Sequence, residues 1–251
     1  MKISIITVCY NAEKTIEDTI KSVINQDYKD LEYIIIDGAS TDGTVNIITE
    51  YQKQFPIILI SEKDEGIYDA MNKGANLASG DYLNFMNAGD TFYNEDSINQ
   101  IIPFLKDEFD IIYGNTEIIY KDFKTIKDEP TPEKLWMGRI PHQSAFIKSD
   151  TMKKYGYNKN NKIVADLEFF MSVYYNNGKI KKINQTISSF AKDGVTEKMG
   201  EQVVIDAYKT VKKFKPEIVV DIYYNMLKIK PFIKRLLPRK IFKLVKTKTK
   251  L

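Results

Sequence analysis

Thiols, long apolar runs and phosphate loops are what this sequence lacks. Cys9 is the single cysteine in 251 residues, which excludes a disulfide framework and a thiolate metal cage and fits a reducing compartment. No apolar run approaches the roughly 18 residues of a spanning helix, so the chain is not expected to cross a membrane. The short apolar run after Met1-Lys2 meets the polar Tyr10-Asn11 too soon for a signal peptide. A cytoplasmic setting is therefore expected. The turn after the first apolar run is CYNAEK, without G-x-G-x-x-G, and no G-x-x-x-x-G-K-[ST] occurs anywhere. A dinucleotide dehydrogenase or a P-loop kinase is thus a poor fit.

What is present is enough apolar material for a real core, 43% of the residues, in one large domain or a domain with a small appendage. The net charge of +3 hides an asymmetry. Ten of the 37 Lys and Arg lie in residues 228–251, which carry no acid, so the other 27 face all 34 acids. An acidic body with a basic tail points to an anionic surface as the tail's partner, and not to a nucleic-acid groove.

The first half alternates strand and helix. KISIITVC (2–9) has strand composition, and Asn11 is placed to cap a helix carrying Ile16, Ile20, Val23 and Ile24. EYIIIDG (32–38) is a second strand. Thr41 or Asp42 can cap the next helix, whose stripe is Ile48, Tyr51 and Phe55 and which Pro56 closes. PIILIS (56–61) is a third strand, and a helix over 66–78 leads to a fourth ending near Met86. This rhythm predicts a parallel sheet covered on both faces. In the helix over 66–78 the expected buried stripe is Ile67, Ala70, Met71, Gly74, Ala75 and Ala78, with Asp69, Asn72 and Lys73 on a solvated face. Beyond residue 107 the alternation ends. DIIYGNTEIIY (110–120) suggests two strands around a Gly-Asn turn, HQSAFIK (142–148) and 179–187 further strands, and 166–176 and 196–227 helices.

Loops at the carboxyl ends of parallel strands converge on one crevice. Its polar residues here are Tyr10 and Asn11, Asp37, Asp64, and finally Asn87 and Asp90. Several acids together need a cation or a donor-rich ligand among them. If a diphosphate binds without a glycine-rich loop, a divalent cation must meet its charge.

SIITVCYN, then IIIDGASTDGT (34–44), then EKDEGIYDAMNKGANLASGDYLNF (62–85) before a carboxylate resembles the nucleotide-sugar-binding half of family 2 glycosyltransferases, in the version found among bacterial surface-polysaccharide enzymes. The resemblance covers roughly the first 90 residues. It implies the GT-A fold: an α/β, Rossmann-like, mostly parallel sheet flanked by helices, with a mixed acceptor-side extension. Its implied boundaries are a nucleotide-sugar half over 1–107, an acceptor and catalytic half over 108–195, and a helical tail over 196–251, basic and amphipathic from 228. Carried over, Asp37 would accept a bond from a uracil or guanine NH, with Thr7, Tyr10 and Asn11 lining that pocket. Asp37 could equally cap the 38–44 turn, and both can hold. Asp64 and Lys73 would face the nucleotide, in competition with a merely solvated face. Asp90 matches the last acid of the family's D-x-D element, which holds Mn2+ or Mg2+. Here the sequence departs from the pattern, because Asn87 stands where an aspartate is common and Gly89 replaces another acid.

Inverting transfer needs a base for the acceptor hydroxyl. The resemblance assigns it to Asp166 in VADLEFF (164–170), with Glu168 as fallback, although a carboxylate at a helix start is also an ordinary cap. His142, the only histidine, and Gln143 resemble the H-Q element near sugar and acceptor, and a structural role for the imidazole stays open. They follow a loop with Trp136 and Arg139. In the tail, Ile229, Phe232, Ile233, Leu236 and Leu237, then Ile241, Leu244 and Val245, form an apolar stripe opposite Lys and Arg, with Pro231 and Pro238 suited to helix starts. That composition suits an interfacial helix on anionic lipid, with an unordered Lys-rich terminus as the alternative. The expected enzyme is a peripheral, inverting, metal-dependent glycosyltransferase using a UDP- or GDP-linked sugar and a polyprenol-linked saccharide acceptor. A nucleotidyltransferase and a catalytically silent binding module are the rivals.

Overall fold

The computed structural model describes residues 1–106, 109–138, 140–191 and 200–236, with side chains to Lys228 in the last helix. Arg139, Pro238 and the apolar stripe from Ile229 onward lie outside the described residues or side chains. The β-branched run Ile3–Cys9 forms β1, followed by α1 (Ile16–Ile24), β2 (Leu31–Asp37), α2 (Thr44–Gln52), β3 (Ile57–Ser61), α3 (Ile67–Leu77) and β4 (Tyr82–Phe85). These four strands are parallel in the order β3-β2-β1-β4. Because side chains alternate across a strand, β1 feeds two cores. Ile6 and Val8 join Ile34, Ile36, Met71 and Ala75 of α3 on one face, while Ile3, Ile5 and Cys9 join Ile16, Ile20 and Val23 of α1 on the other. The sheet covered on both faces is therefore as expected.

The second half continues the same sheet with mixed polarity. It consists of β5 (Asp90–Phe92), α4 (Ile102–Leu105), β6 (Ile111–Ile119), β7 (Lys124–Lys127), β8 (Ala145–Lys148), α5 (Ser149–Tyr155), α6 (Ala165–Tyr175) and β9 (Ile180–Ala191), with short 3-10 turns at Pro132–Met137 and His142–Ser144. Strand β8 pairs antiparallel with β4, β6 antiparallel with β8, β9 parallel with β6, and β5 antiparallel with β9. Two helices, α7 (Gly200–Phe214) and α8 (Ile218–Leu236), follow. They pack on α6 through Val164, Leu167, Met171, Val211, Val220 and Tyr224.

Several expectations are corrected. Residues 110–120 do not make a hairpin; β6 is continuous, and a Cβ on Gly114 would collide with the Gln185 carbonyl of β9. Glycine there serves the close passage of two strands, not a turn. Asn11 does not cap α1, which starts after Thr15. Tyr68 replaces Ile67 in the buried face of α3, Ile67 being 45% exposed. Of the segment 196–227, residues 196–199 lie outside the described residues and the rest is two helices broken at 215–217, the second of which runs through position 231 instead of starting there.

Candidate active site

The crevice lies where the carboxyl ends of β1, β2, β3 and β4 meet the His142–Ser144 turn. On its β1–β3 side, Asp37 is fully buried. Its Oδ2 accepts the Ser40 N–H at 3.0 Å and the hydroxyl of Ser61 at 2.6 Å, and its Oδ1 accepts the Ser40 hydroxyl. Ser61 is its register partner on β3. Asp37 thus builds the turn of the DGASTDGT stretch. Asn11, at φ 47°, accepts the Thr41 N–H at 2.9 Å and fastens that turn to the end of β1. Asp42, two residues before the first residue of α2, accepts the Thr44 N–H at 3.0 Å.

Tyr10 projects from the end of β1 with 63% exposure. A Cβ built on Gly38 would sit 2.6 Å from Asp64 Oδ2 and 3.4 Å from the Tyr10 ring. Glycine is what lets the Tyr10 ring and the Asp64 carboxylate close over the Asp37 turn. Asp64 Oδ1 also accepts the Gly66 N–H at 2.8 Å. Thr7, by contrast, is buried beneath the crevice, with its hydroxyl between Tyr33 OH (3.0 Å) and the Met86 carbonyl (2.7 Å). Lys73 is drawn aside by Glu62 at 2.7 Å and Asp69 at 3.7 Å, and donates to the Lys63 carbonyl at 2.9 Å. Tyr10, Asn11, Asp37 and Asp64 therefore come together, and Thr7 and Lys73 stand apart.

The second side of the crevice is built by the turn after β4. Asp90 does not end the fourth strand; β4 ends at Phe85 and Asp90 opens β5. Between them Ala88 N–H still bonds the Val8 carbonyl at 3.1 Å, and Asp90 N–H closes on the Asn87 carbonyl at 2.9 Å. Gly89 takes φ 97°, a value costly for any residue with a Cβ. This accounts for the acid missing there. Thr19 of α1 clamps this turn, accepting the Gly89 N–H at 3.0 Å and donating to the Asp90 carbonyl at 2.8 Å.

His142 stands between two carboxylates. Its Nε2 lies 4.0 Å from Asp90 Oδ2, and its Nδ1 lies 3.8 Å from Asp166 Oδ2. Asn87 Nδ2 lies 2.8 Å from Nε2. With the amide in this orientation it donates, Nε2 accepts, and the ring proton resides on Nδ1 facing Asp166. Burial pushes the Asp90 carboxyl up from 3.8 to about 6, the nearby imidazole opposing this only in part. The position of His142 is itself fixed by Asn84, wholly buried on β4, whose amide donates to the Gln143 and Ala145 carbonyls at 3.0 Å each. Gln143 is buried within that turn.

Asp166 is the second residue of α6 and not its cap. Its Oδ1 accepts the Leu167 N–H at 2.9 Å and the Tyr68 hydroxyl at 3.2 Å. Glu168 is engaged elsewhere. Asn161 at 2.8 Å, Asn158 at 3.2 Å and Lys213 of α7 at 3.0 Å bind its carboxylate. Burial would raise its pKa, but these donors outweigh burial and hold it below the usual range. It joins α6 to α7 and does not belong to the His142 cluster. Sequence reasoning missed Thr19, Tyr68 and Asn84; the one visible signal was Asn84, a lone amide inside the apolar run of β4.

A divalent cation can be tested against this donor set. Among the described residues no group of three or more His, Cys, Asp or Glu could hold a metal. Among the described residues the cationic group nearest the Asp90 carboxylate is His142, at 4.0 Å, and Asn87 Oδ1 is buried without a hydrogen-bond partner. Two oxygen donors on one turn fit a hard cation that completes its shell from water and a bound diphosphate.

The comparisons with known proteins agree with this geometry. The model of "Glycosyl transferase family 2" matches residues 4–177. A "PGL/p-HBAD biosynthesis glycosyltransferase" of Mycobacterium bovis is 28% identical over 178 residues, covering 69% of this chain and 70% of the relative. Among solved structures, S. aureus TarS 1-349 in complex with UDP-GlcNAc has a TM-score of 0.69 at 17% identity, covering 90% of this chain and 70% of that one. The mannosyltransferase PcManGT of Pyrobaculum calidifontis, in complex with GDP-Man and Mn2+, also has a TM-score of 0.69, at 16% identity, covering 89% of this chain and 69% of that one. These likenesses show the GT-A fold, and the match over residues 4–177 places the chain in glycosyl transferase family 2, as a glycosyltransferase.

Proposed function

We propose that the protein moves a sugar, with inversion, from a UDP- or GDP-linked donor to a saccharide acceptor during surface-polysaccharide synthesis. The observation that carries this reading is the convergence of two carboxylates on one imidazole. Asp90 comes from the donor-side turn and Asp166 from the acceptor-side helix, each about 4 Å from His142. The relatives' names support the donor class, since TarS is described with UDP-GlcNAc and the mannosyltransferase with GDP-Man and Mn2+.

In this reading Tyr10 and Asn11 flank the nucleotide base, and Asp37 and Asp64 shape the floor and rim beneath it. Asp90 and Asn87 would hold Mn2+ or Mg2+, which when bound offsets the charge of the departing diphosphate. Asp166 takes the proton from the attacking acceptor hydroxyl, through the Oδ2 that faces His142. His142 Nδ1–H orients that carboxylate, and the 3.8 Å gap leaves room for tightening when the acceptor enters. The basic residues 228–251 hold the enzyme on anionic lipid at the inner face of the cell membrane, where a polyprenol-linked acceptor resides.

The test is Asp166→Asn, which keeps size and shape. Transfer with Mn2+ is expected to fall at least about 100-fold. Thermal stabilisation by the donor should persist, about 2.7 kcal/mol at 100 times its dissociation constant. A variant that still transfers sugar would sink the assignment of the base. Absence of stabilisation by any UDP- or GDP-sugar would overturn the donor class.

A further inference from the structure

In the stretch GIYDAMNKG (66–74), Tyr68 and Asn72 both bond one segment of the acceptor half, and Glu65 just before it and Asp69 face lysines of the same segment. Asn72 pairs with the Tyr157 backbone in both directions, Nδ2 donating to the carbonyl at 2.8 Å and Oδ1 accepting the N–H at 2.9 Å. Lys159 lies 2.9 Å from Glu65 and 4.0 Å from Asp69, and Lys162 donates to the Glu65 carbonyl at 2.6 Å. Tyr68 shares its hydroxyl between the Ile163 carbonyl and Asp166 Oδ1, each at 3.2 Å. On the other side of α3, a Cβ on Gly74 would collide with Ile6, so the helix lies tight against β1. Helix α3 therefore transmits the position of the parallel sheet to residues 157–164, the loop that leads into α6 and its second residue, Asp166.

We propose that Tyr68 is a positioning residue for the acceptor-activating carboxylate. With Leu167 N–H it engages Oδ1 and so turns Oδ2 toward His142 and the crevice. Its ring is held by Tyr157, at 5.5 Å between centroids, and Tyr157 packs in turn on Phe85 and Phe169. The hydroxyl is thus carried on an apolar cluster continuous with the core, which suits precise placement. Among the described residues, the titratable groups facing Asp166 include Tyr68 from α3, Tyr157 from the loop after α5, and His142, with Asp90 beyond the imidazole. This inference rests on Asp166 being the base.

Tyr68→Phe removes the hydroxyl and keeps the ring. Losing a hydrogen bond to a carboxylate is expected to lower kcat roughly tenfold or more and leave the donor KM unchanged. The acidic limb of the kcat profile should move to higher pH, because the charged carboxylate loses a donor. A purely structural tyrosine would not move that limb. Wild-type kcat with an unmoved limb, or a lower kcat with a raised donor KM and an unmoved limb, would overturn the proposal. If Tyr68→Phe does not fold, 3-fluorotyrosine at position 68 keeps ring and hydroxyl but is the stronger donor, so the acidic limb should move to lower pH, and an unmoved limb would overturn the proposal. Asp166→Asn separates the two ideas. An inactive Asp166→Asn beside an unaltered Tyr68→Phe removes only the positioning role, whereas an active Asp166→Asn removes the base itself.

Discussion

At the scale of single residues, Asp90 shows how a functional group can work against the fold that carries it. Its side chain is 18% exposed, and its pKa is raised from 3.8 to about 6. A carboxyl raised in the folded state binds its proton more tightly there than in the unfolded chain. Stability is therefore greatest below about pH 4 for this group and falls as pH rises through 6, by about 2–3 kcal/mol in all. Asp90→Asn should accordingly be the more stable protein at pH 8 in chelator, and the two should converge toward pH 4. Melting curves across that range check this, and parallel curves at every pH would contradict it. With Mn2+ and donor present the order should reverse, because only the wild type gains from the ligand. Gly89 belongs to the same economy of the turn. At φ 97° it allows Asp90 N–H to close on Asn87, and Gly89→Asp is expected to lower stability without restoring a second carboxylate ligand.

At the scale of elements, α3 is a brace between the sheet and the segment leading to Asp166, and Asn72 is its weakest point. Asn72→Ala leaves both the Tyr157 N–H and carbonyl without partners, so it should cost about 1–3 kcal/mol. Denaturant unfolding would measure this, and an unchanged midpoint would mean that water replaces the amide. Asn72 was legible in the sequence only as part of a solvated face, since spacing tells which residues share a face but not what the face meets. The strands β1 to β4 were legible because each is a short apolar run between turn residues, a local signal. Strand β6 was not, because the reason for Gly114 lies some 70 residues away in Gln185. The site divides in the same way. Asp37 was legible from the end of its strand, and Asp90 and Asp166 were singled out through the family resemblance, but Thr19, Tyr68 and Asn84 act through tertiary hydrogen bonds that leave no periodic trace. Lys73 lies on the solvated face that spacing suggested, paired with Asp69 and Glu62, and Glu168 is held by Lys213, a partner 45 residues away that spacing does not show.

At the scale of the whole molecule, charge and exposed apolar surface coincide at the carboxyl end. Helix α8 buries Val220 and Tyr224 against α7 and the Trp136 turn, while Ile218, Ile222 and Met226, one turn apart, are 76%, 55% and 66% exposed. In the sequence this stripe is followed by residues 228–251, which hold ten Lys and Arg and no acid. No described helix is long and apolar enough to cross a membrane. An apolar stripe beside a block of cations is what a helix needs to lie in the headgroup region of anionic lipid. Each cation near such a surface contributes about 1 kcal/mol, and salt weakens this as the screening length shrinks from about 10 Å at 0.1 M to 3 Å at 1 M. The full chain is therefore expected to sediment with vesicles containing anionic lipid and not with zwitterionic ones, and to be released by 1 M salt. Ile222→Glu should weaken sedimentation while leaving the melting temperature nearly unchanged, because its side chain is 55% exposed and belongs to no core cluster among the described residues. A chain ending after Lys228 should remain folded and stay in the supernatant. Equal sedimentation with both vesicle types, or retention by the shortened chain, would show that the tail's charge is not what brings the enzyme to its acceptor.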